Sequence, residues 1–397
     1  MVRRAGRARA LGVSGDAAPG DTGSVAAAIH AARTTRTTLR IAGRSTWLDA
    51  GRPVEAAARL SLAGLRGVTE YEPGDFTLTA RAGTSLAEIA EVTSREGQWL
   101  TLEPAGSPDG SIGATIATGS WGPLAAAYGT PRDHLLGCEV VTGIGEVVHA
   151  GGRVVKNVAG FDLARLMTGA WGTLGAITAV TVRLRARPEV DRTLAVDFEG
   201  ADERASDDAG RWLRATPYRP LAAELCSPSM SERIGLERRT LLLVRLGGND
   251  ALVRAAERAV GELGSAKTID ATVWSRLRVA EPGGATVVRL GTLPAWAATI
   301  WERAVRVTTD AGGWSHATVA RGVVRCILPP ARTPGEIERL RGIMKELHAP
   351  GSCIVERIPA PLWADVPSAV ADRLSRDVRR TFDPDRVLNP GILDFDT

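Results

Sequence analysis

Glycine, serine and threonine are concentrated in residues 103–188, where they alternate with short valine, isoleucine and leucine runs. Fifteen of the 44 glycines in this 397-residue chain lie between Gly106 and Gly175. Glycine between apolar strands marks tight turns, or places where the backbone lies too close to a ligand to leave room for a Cβ. Successive free amides in such loops bind anions. The stretch therefore predicts a folded segment whose loops hold a large anionic ligand, such as a pyrophosphate.

Two common phosphate-binding motifs are absent from the sequence. No G-x-G-x-x-G opens a helix after a predicted strand, and no G-x-x-x-x-G-K-[ST] occurs. These absences argue against a Rossmann or P-loop nucleotide site. The interpretation that remains is a pyrophosphate bound by the backbone amides of loops.

Four runs in this stretch, EPAG, SIGATIATGSWG, YGTPRDHLLG and GTLGAIT, resemble the FAD-binding domain of the vanillyl-alcohol oxidase (PCMH-type) flavoprotein superfamily. The run GGRVVKNVAGFDLARLMTGAWGTLG is similar to the FAD-binding E subunit family of bacterial glycolate oxidase. The resemblance is strong over residues 39–188 and continues more weakly to the C terminus. It implies an α+β fold, in which a two-subdomain PCMH-type FAD-binding domain precedes a cap domain.

The resemblance also implies which residues bind FAD. The first pyrophosphate loop follows a predicted strand, in GRSTWLDAG, and the other candidates lie in the glycine-rich stretch and in the C-terminal LNPG. The predicted cofactor-binding residues are Gly43, Arg44, Ser45, Thr46, Gly106, Ser107, Gly113, Ala114, Thr118, Gly119, Gly122, Arg132, Asp133, Lys156, Asn157, Asp162, Gly175, Ile177 and Asn389.

Each assignment has a plain structural alternative. A single glycine can serve only a turn, Asp133 can cap the following turn, and Lys156 and Asp162 can form an ordinary ion pair. If Lys156 faces the flavin ring instead, its charge stabilises the reduced, anionic flavin. We expect noncovalent FAD, because the first loop has no histidine or cysteine and Cys138 lies inside an apolar run.

Oxidation of a 2-hydroxy acid by FAD requires a base for the hydroxyl proton and a cation for the carboxylate. The cap has two histidines, His316 and His348, and neither lies in the metal-binding motif that related D-2-hydroxy acid dehydrogenases carry. A surface or core role is the alternative for His316. The residues that we expect to converge on strands of one sheet, as a catalytic group, are His316, Arg321, Arg325, Glu356 and Arg357.

The resemblance predicts an FAD-dependent oxidoreductase acting on CH–OH donors, as a subunit of a glycolate oxidase complex. It would take electrons from glycolate, or another small 2-hydroxy acid, and pass them to a partner. The implied partners are a catalytic flavoprotein homologue and an iron–sulfur subunit. One alternative is a noncatalytic FAD-binding relay or assembly subunit. Another is a stand-alone FAD oxidase of a different hydroxy acid, a sugar or an aldonolactone.

Composition excludes several other classes. The net charge of +4, from 49 Lys+Arg and 45 Asp+Glu, is small and not clustered beyond the N terminus, so we expect no nucleic-acid partner. The four cysteines are far apart with no C-x-x-C, which argues against an iron–sulfur or zinc site in this chain. No apolar run approaches 18 residues, so no transmembrane segment is expected. We expect a cytoplasmic protein, with membrane association through partner subunits as an alternative.

The predicted elements divide the chain into four parts. Residues 1–22 form a basic N-terminal extension, expected to be disordered, with no apolar region that would make it an export signal. Residues 23–188 form the FAD-binding domain, including a helix with Thr84 as its N-cap and Gly97 as its stop. Residues 189–370 contain two β-α-β-β-α-β blocks and predict a doubled ferredoxin-like cap. Residues 371–397 return to the FAD-binding domain.

Overall fold

The computed structural model describes residues 16–152, 162–198, 204–293, 296–347 and 351–393. Lys156, Asn157 and His348 lie outside the described residues, and so do residues 1–15 of the predicted extension.

The helices are α1 (Thr22–Thr34), α2 (Leu86–Ser94), α3 (Ile112–Thr118), α4 (Ala125–Tyr128), α5 (Pro131–His134), α6 (Leu163–Met167), α7 (Ala205–Ala215), α8 (Pro228–Arg233), α9 (Asp250–Gly261), α10 (Thr272–Arg278), α11 (Ala297–Asp310), α12 (Pro334–Leu347) and α13 (Arg373–Phe382). Short 3₁₀ helices span Pro73–Asp75, Val319–Arg321 and Ala360–Asp365.

The strands are β1 (Leu39–Ala42), β2 (Ala58–Ser61), β3 (Val68–Glu72), β4 (Thr77–Arg81), β5 (Gln98–Trp99), β6 (Leu135–Val141), β7 (Val147–Gly151), β8 (Ala176–Arg183), β9 (Arg185–Ala186), β10 (Val190–Asp197), β11 (Ala222–Cys226), β12 (Leu241–Gly248), β13 (Ser265–Ile269), β14 (Thr286–Gly291), β15 (Trp314–Thr318), β16 (Val323–Leu328) and β17 (Ser352–Arg357).

The first half of the chain contains two main sheets. Strands β1 and β2 pair in parallel, and an antiparallel five-stranded sheet has the order β3-β4-β8-β6-β7. Alternating apolar residues on β4 and β8 bury one face of the larger sheet against α2 and α3, with Leu78, Ile89, Ile112 and Val182 at the centre of that core. The loop after β1 and the loop before α3 lie between these elements and line a cleft.

The second half forms one antiparallel eight-stranded sheet with the order β13-β10-β12-β11-β15-β16-β14-β17. Helices α7, α9, α11 and α12 cover one face, where a large apolar core includes Val253, Ala304 and Leu340. The opposite face packs on the first half of the chain through an apolar cluster that includes Leu243 and Ile327. This second face also carries the charged residues described below.

The C-terminal segment completes the first half of the chain. The amide of Leu39 donates to the carbonyl of Val387 at 2.7 Å, and the amide of Ile41 donates to Oδ1 of Asn389 at 2.7 Å. The amide group of Asn389 in turn donates to the carbonyl oxygen of Trp171 at 2.7 Å. One side chain therefore joins three distant parts of the chain.

Two local features differ from the sequence-based expectations. The predicted disordered extension includes residues 16–22, but Ala17 pairs with β2 through hydrogen bonds of 2.8 and 2.7 Å to Arg59 and Ser61. Helix α2 is capped by Ser85, one residue later than expected, because Ser85 and Glu88 form a reciprocal capping box. Among the described residues, no helix combines the length and the apolar composition that crossing a membrane requires.

Candidate active site

A cleft of about 1050 Å³, measured to its open mouth, crosses the first half of the chain. Its walls come from the loop after β1, the loop before α3, the turn at Trp171 and Gly172, and the C-terminal Asn389. Twelve of the predicted cofactor-binding residues line it: Gly43, Arg44, Ser45, Thr46, Gly106, Ser107, Gly113, Ala114, Thr118, Gly175, Ile177 and Asn389.

The loop after β1 presents free backbone donors to this cleft. The amides of Arg44, Ser45 and Thr46 make no hydrogen bond within the described parts of the chain, and Ser45 has a left-handed φ of 60°. Successive free amides around a left-handed residue form a concave anion-binding nest. This loop therefore fits the pyrophosphate of FAD.

Two cleft glycines are required by the packing of the loops on each other. A Cβ on Gly43 would lie 2.3 Å from Oγ of Ser111, and a Cβ on Gly113 would lie 2.6 Å from Cβ of Ala82. Both distances are shorter than real side chains allow. Glycine at these two positions lets the loop after β1 pack against Ser111, the N-cap of α3, and lets α3 pack against Ala82. This packing positions the walls of the cleft.

Two further features of the cleft suit a flat, doubly charged cofactor, and the sequence-based prediction missed both. Arg40 lies on β1 at the cleft, and burial lowers the pKa of its guanidinium. Trp47 and Trp171 also line the cleft, with ring centroids 6.0 Å apart and planes at 28°. The alternation of residues on β1 could have predicted that the charged side chain of Arg40 is partly buried. No local sequence pattern could have predicted that Trp47 and Trp171, which are 124 positions apart, lie side by side.

Four other predicted cofactor-binding residues, Gly119, Arg132, Asp133 and Asp162, do not line the cleft. Gly119 ends α3 with a left-handed φ of 64°. Asp133 accepts hydrogen bonds from the amide and hydroxyl of Thr130, at 2.8 and 2.9 Å, and so caps its own helix α5, where Arg132 is exposed. Asp162 caps α6 by accepting from the amide of Arg165 at 3.0 Å. The structure gives Gly119, Asp133 and Asp162 local structural roles, and it leaves the Arg132 side chain exposed.

A second, smaller chamber lies between the first half of the chain and the charged face of the eight-stranded sheet. Its volume is about 470 Å³, and Ala105 lines both this chamber and the cleft. The predicted residues Gly122, His316 and Arg325 line the chamber. The other lining residues are Glu103, Trp121, Pro123, Trp274, Leu277, Arg278, Glu281 and Ile327.

His316 forms a buried pair with a carboxylate that the sequence did not indicate. Nδ1 of His316 lies 2.6 Å from Oε2 of Glu224, and Glu224 is 0% exposed. The register places Cys226 opposite His316 and Glu224 opposite Thr318, so the two side chains lie diagonally on one face of the sheet. A carboxylate that accepts the Nδ1 proton leaves Nε2 as the basic nitrogen.

Arg278, the last residue of α10, is the second chamber residue that the sequence did not indicate. Its Nε and Nη2 atoms are buried and make no hydrogen bond within the described residues. Burial lowers the pKa of this guanidinium, while Glu103 acts in the opposite direction. The backbone carbonyl of Arg278 accepts a 2.7 Å hydrogen bond from Gly106, which lines the cleft. The chamber and the cleft therefore share a direct backbone contact.

A chain of buried ion pairs, here called the charge ladder, runs along the chamber. It joins Arg289 to Glu356 at 2.8 Å and Glu356 to Arg325 at 2.5 Å. Arg325 and Arg357 both bond to Glu281, and Arg357 reaches Asp49 at 3.1 Å. Burial by itself would raise the pKa of Glu281, but Arg325 and Arg357 hold it below its usual value.

The ladder decides the placement of three residues that were predicted to be catalytic. Arg325, Glu356 and Arg357 do lie together on one sheet, but each is held in an ion pair of the ladder: Arg325 with Glu281 and Glu356, and Arg357 with Glu281 and Asp49. The fourth, Arg321, donates to the carbonyl of Ala125 at 3.2 Å and stacks on Trp121, with its charge 5.0 Å from the ring centre. Within the described residues, no group of three or more His, Cys, Asp or Glu side chains could hold a metal ion.

Comparison with known proteins shows what this chain is similar to. Residues 13–151 match the family model described as "FAD binding domain". Glycolate oxidase subunit GlcE of Escherichia coli is 31% identical over 252 residues, which cover 63% of this chain and 66% of that protein. Glycolate oxidase subunit GlcD of Bacillus subtilis is 31% identical over 153 residues, covering 38% of this chain and 33% of that protein. The matched regions thus span only part of each relative.

The fold also matches solved structures. The structure of p-cresol methylhydroxylase with substrate bound has a TM-score of 0.73 at 17% identity, covering 96% of this chain and 89% of that chain. At this identity the likeness concerns the fold alone. The matches confirm the predicted PCMH-type FAD-binding fold and FAD as the cofactor.

Proposed function

We propose that this FAD-dependent oxidoreductase oxidises glycolate, or another small 2-hydroxy acid, and passes the electrons to a partner as the FAD-binding subunit of a glycolate oxidase complex. The observation that carries the proposal is the chamber, which adjoins the FAD cleft at Ala105 and contains both a histidine–carboxylate pair and a guanidinium. The relationship to glycolate oxidase subunits supports the choice of substrate. The proposed partners are a catalytic flavoprotein homologue and an iron–sulfur subunit, in the cytoplasm or at a membrane through those partners.

The domain assignment belongs to the same proposal. Residues 23–188 and 371–397 would bind FAD, and residues 189–370 would form the cap over the ring system. Each half of the cap has a β-α-β-β-α-β order, and its strands lie in the order fourth, first, third, second. This arrangement supports a doubled ferredoxin-like cap. The twelve cleft residues are our proposed FAD contacts.

Anaerobic titration of the purified protein with glycolate tests the proposed reaction. We expect glycolate to bleach the visible band of the bound flavin with one equivalent per FAD, because the chamber holds both groups that the chemistry requires. D-lactate and L-lactate, titrated in the same way, define the substrate range. Ethanol, which has a hydroxyl and no carboxylate, is the control and should leave the flavin oxidised.

A noncatalytic relay subunit is the second candidate. The observation that favours it is the charge ladder, in which three of the predicted catalytic residues, Arg325, Glu356 and Arg357, are held in ion pairs. If this candidate is correct, the flavin stays oxidised with glycolate alone and becomes reduced only when the catalytic partner is added. A stand-alone oxidase would instead turn over with oxygen and without any partner.

A further inference from the structure

The chamber contains one guanidinium that its surroundings do not satisfy. The ladder consists of three guanidiniums, Arg289, Arg325 and Arg357, and the carboxylates Glu281, Glu356 and Asp49, so its charges balance. Arg325 directs its Nε atom at Glu281 and its Nη2 atom at Glu356. Arg278 differs, because its Nε and Nη2 atoms are buried without a hydrogen-bond partner in the described parts of the chain. A buried donor without a partner destabilises the folded state, and a charged one does so more strongly.

A carboxylate is the ligand that removes this cost. A guanidinium binds a carboxylate through two parallel N–H···O bonds, and the Nε and Nη2 atoms form one edge suited to that geometry. The chamber wall also contains the apolar or aromatic residues Trp274, Leu277 and Ile327, and the carboxylate of Glu103, whose charge raises the pKa of Arg278. The chamber is also smaller than the cleft, at about 470 Å³ against about 1050 Å³. Its chemistry and size favour a short monocarboxylate.

We propose that Arg278 anchors the carboxylate of a short 2-hydroxy acid in the chamber, while His316, held by Glu224, takes the proton of its hydroxyl group. This inference rests on the proposed function. The nearby Arg325 and Glu281 are positioning residues, since their pairs fix the wall beside the ligand. Trp121 closes another part of the wall and is itself held between Arg289 and Arg321, whose charges lie 5.4 and 5.0 Å from its ring centre.

The oxidation balances with these groups. Held by the cleft residues, FAD would supply the two-electron acceptor for the hydride of C2. Nε2 of His316 would receive the hydroxyl proton, and the C2–O single bond would become the carbonyl of the 2-oxo acid. Glu224 stabilises the imidazolium that results, because its carboxylate accepts the Nδ1 proton at 2.6 Å. The backbone bond from Gly106 to Arg278 fixes the anchor relative to the FAD cleft.

Acetate binding tests the anchor without any redox chemistry, because acetate has the carboxylate but no hydroxyl group. The dissociation constant is measured on the FAD-loaded protein by perturbation of the flavin absorbance, with acetamide as the neutral probe. We expect Arg278→Met to raise the constant for acetate by about tenfold to one-hundredfold, as for loss of a hydrogen bond to a charged group. Arg278→Lys should show a smaller rise, because a point charge remains without the planar fork.

Arg276→Met is the matched control. Arg276 lies two residues earlier on α10 and is exposed, and the one hydrogen bond that its side chain donates to a described residue goes to Thr272 at 3.1 Å. Its replacement should leave acetate binding unchanged. FAD content and the melting temperature of every variant are measured alongside, and Arg278→Lys keeps the test decisive if Arg278→Met does not fold. Acetate binding that is equal in wild type and both Arg278 variants would overturn the anchor.

His316→Asn tests the base separately. It should bind acetate like wild type but slow the reduction of FAD by glycolate by about 10²- to 10⁴-fold, the usual contribution of a general base. An unchanged rate would overturn the role of His316.

If glycolate fails to reduce wild type while acetate binding still depends on Arg278, the proposed function fails and the anchor stands. If glycolate reduces wild type and both Arg278 variants equally well, the proposed function stands and the anchor fails.

Discussion

Glu281→Gln is expected to destabilise the protein by about 3–5 kcal/mol, because it leaves two buried guanidiniums without their shared counterion. Glu281 is 6% exposed and bonds to both Arg325 and Arg357. Glutamine has nearly the same shape, so the loss reports charge and not packing. The free energy of unfolding by urea, measured on the FAD-loaded protein, gives the comparison.

A surface pair provides the matched control for this substitution. Glu257 bonds to Arg192 at 2.7 Å, with side chains that are 21% and 34% exposed. Glu257→Gln should cost about 1 kcal/mol or less, since water already screens the pair. Equal losses at Glu257 and Glu281 would mean that the ladder contributes no more than an ordinary surface pair.

The same pair of variants predicts how stability depends on pH. The pKa of Glu281 is lowered in the folded protein, so the folded state binds fewer protons than the unfolded state near the usual glutamate pKa of 4.5. The stabilisation is therefore fully present above pH 4.5 and is lost as the pH falls below it. Urea unfolding at pH 7 and pH 4 should show a smaller difference between wild type and Glu281→Gln at pH 4. A difference that grows towards low pH would contradict the ladder's charge assignment.

Gly113→Val is expected to abolish the retention of FAD. A Cβ at this position would lie 2.6 Å from Cβ of Ala82 and 2.8 Å from its carbonyl oxygen, so α3 must move away from Ala82. Helix α3 carries Ala114 and Thr118 in the cleft wall. The flavin absorbance per mole of purified protein measures retention, and Gly113→Ala should give an intermediate loss.

Gly342→Val is the matched control, because a Cβ on Gly342 in α12 meets no atom within 4 Å. This variant should keep its flavin and its stability, since valine has a slightly better helix propensity than glycine. Circular dichroism separates loss of FAD from loss of the fold. A Gly113→Val variant that stays yellow with normal stoichiometry would show that α3 does not form the cofactor's wall.

The sequence indicated the residues of the cleft well because most of them lie within residues 43–46 and 106–118 and their types are unusual. Glycine between short apolar strands has few physical explanations. The twelve cleft residues came from the loop after β1, residues 106–118, residues 175–177 and Asn389. The sequence did not show why glycine is required at each individual position. Gly43 and Gly113 were expected to make room for phosphate, but the atoms that a Cβ would meet belong to Ser111 and Ala82.

The chamber was harder to predict because its chemistry is assembled across strands. Glu224 and His316 are 92 positions apart and meet only through the register of β11 and β15. A signal for Glu224 did exist, since a glutamate in the middle of the apolar strand AAELC must have a buried partner. No sequence pattern could show that Arg325 is neutralised by Glu281 while Arg278 remains unpaired, because that depends on how α10 and β16 meet in space.

The contacts of Asn389 also have a kinetic consequence. Its side chain joins Ile41 and Trp171, and β1 pairs with residues that are about 350 positions later in the chain. During synthesis the N-terminal loops emerge long before residue 389, so they cannot complete the cleft while the ribosome is still translating the cap. Contacts of such high sequence separation also form slowly. Cofactor capture should therefore be a late event that follows release of the finished chain, and stalled chains that end before residue 389 should emerge colourless.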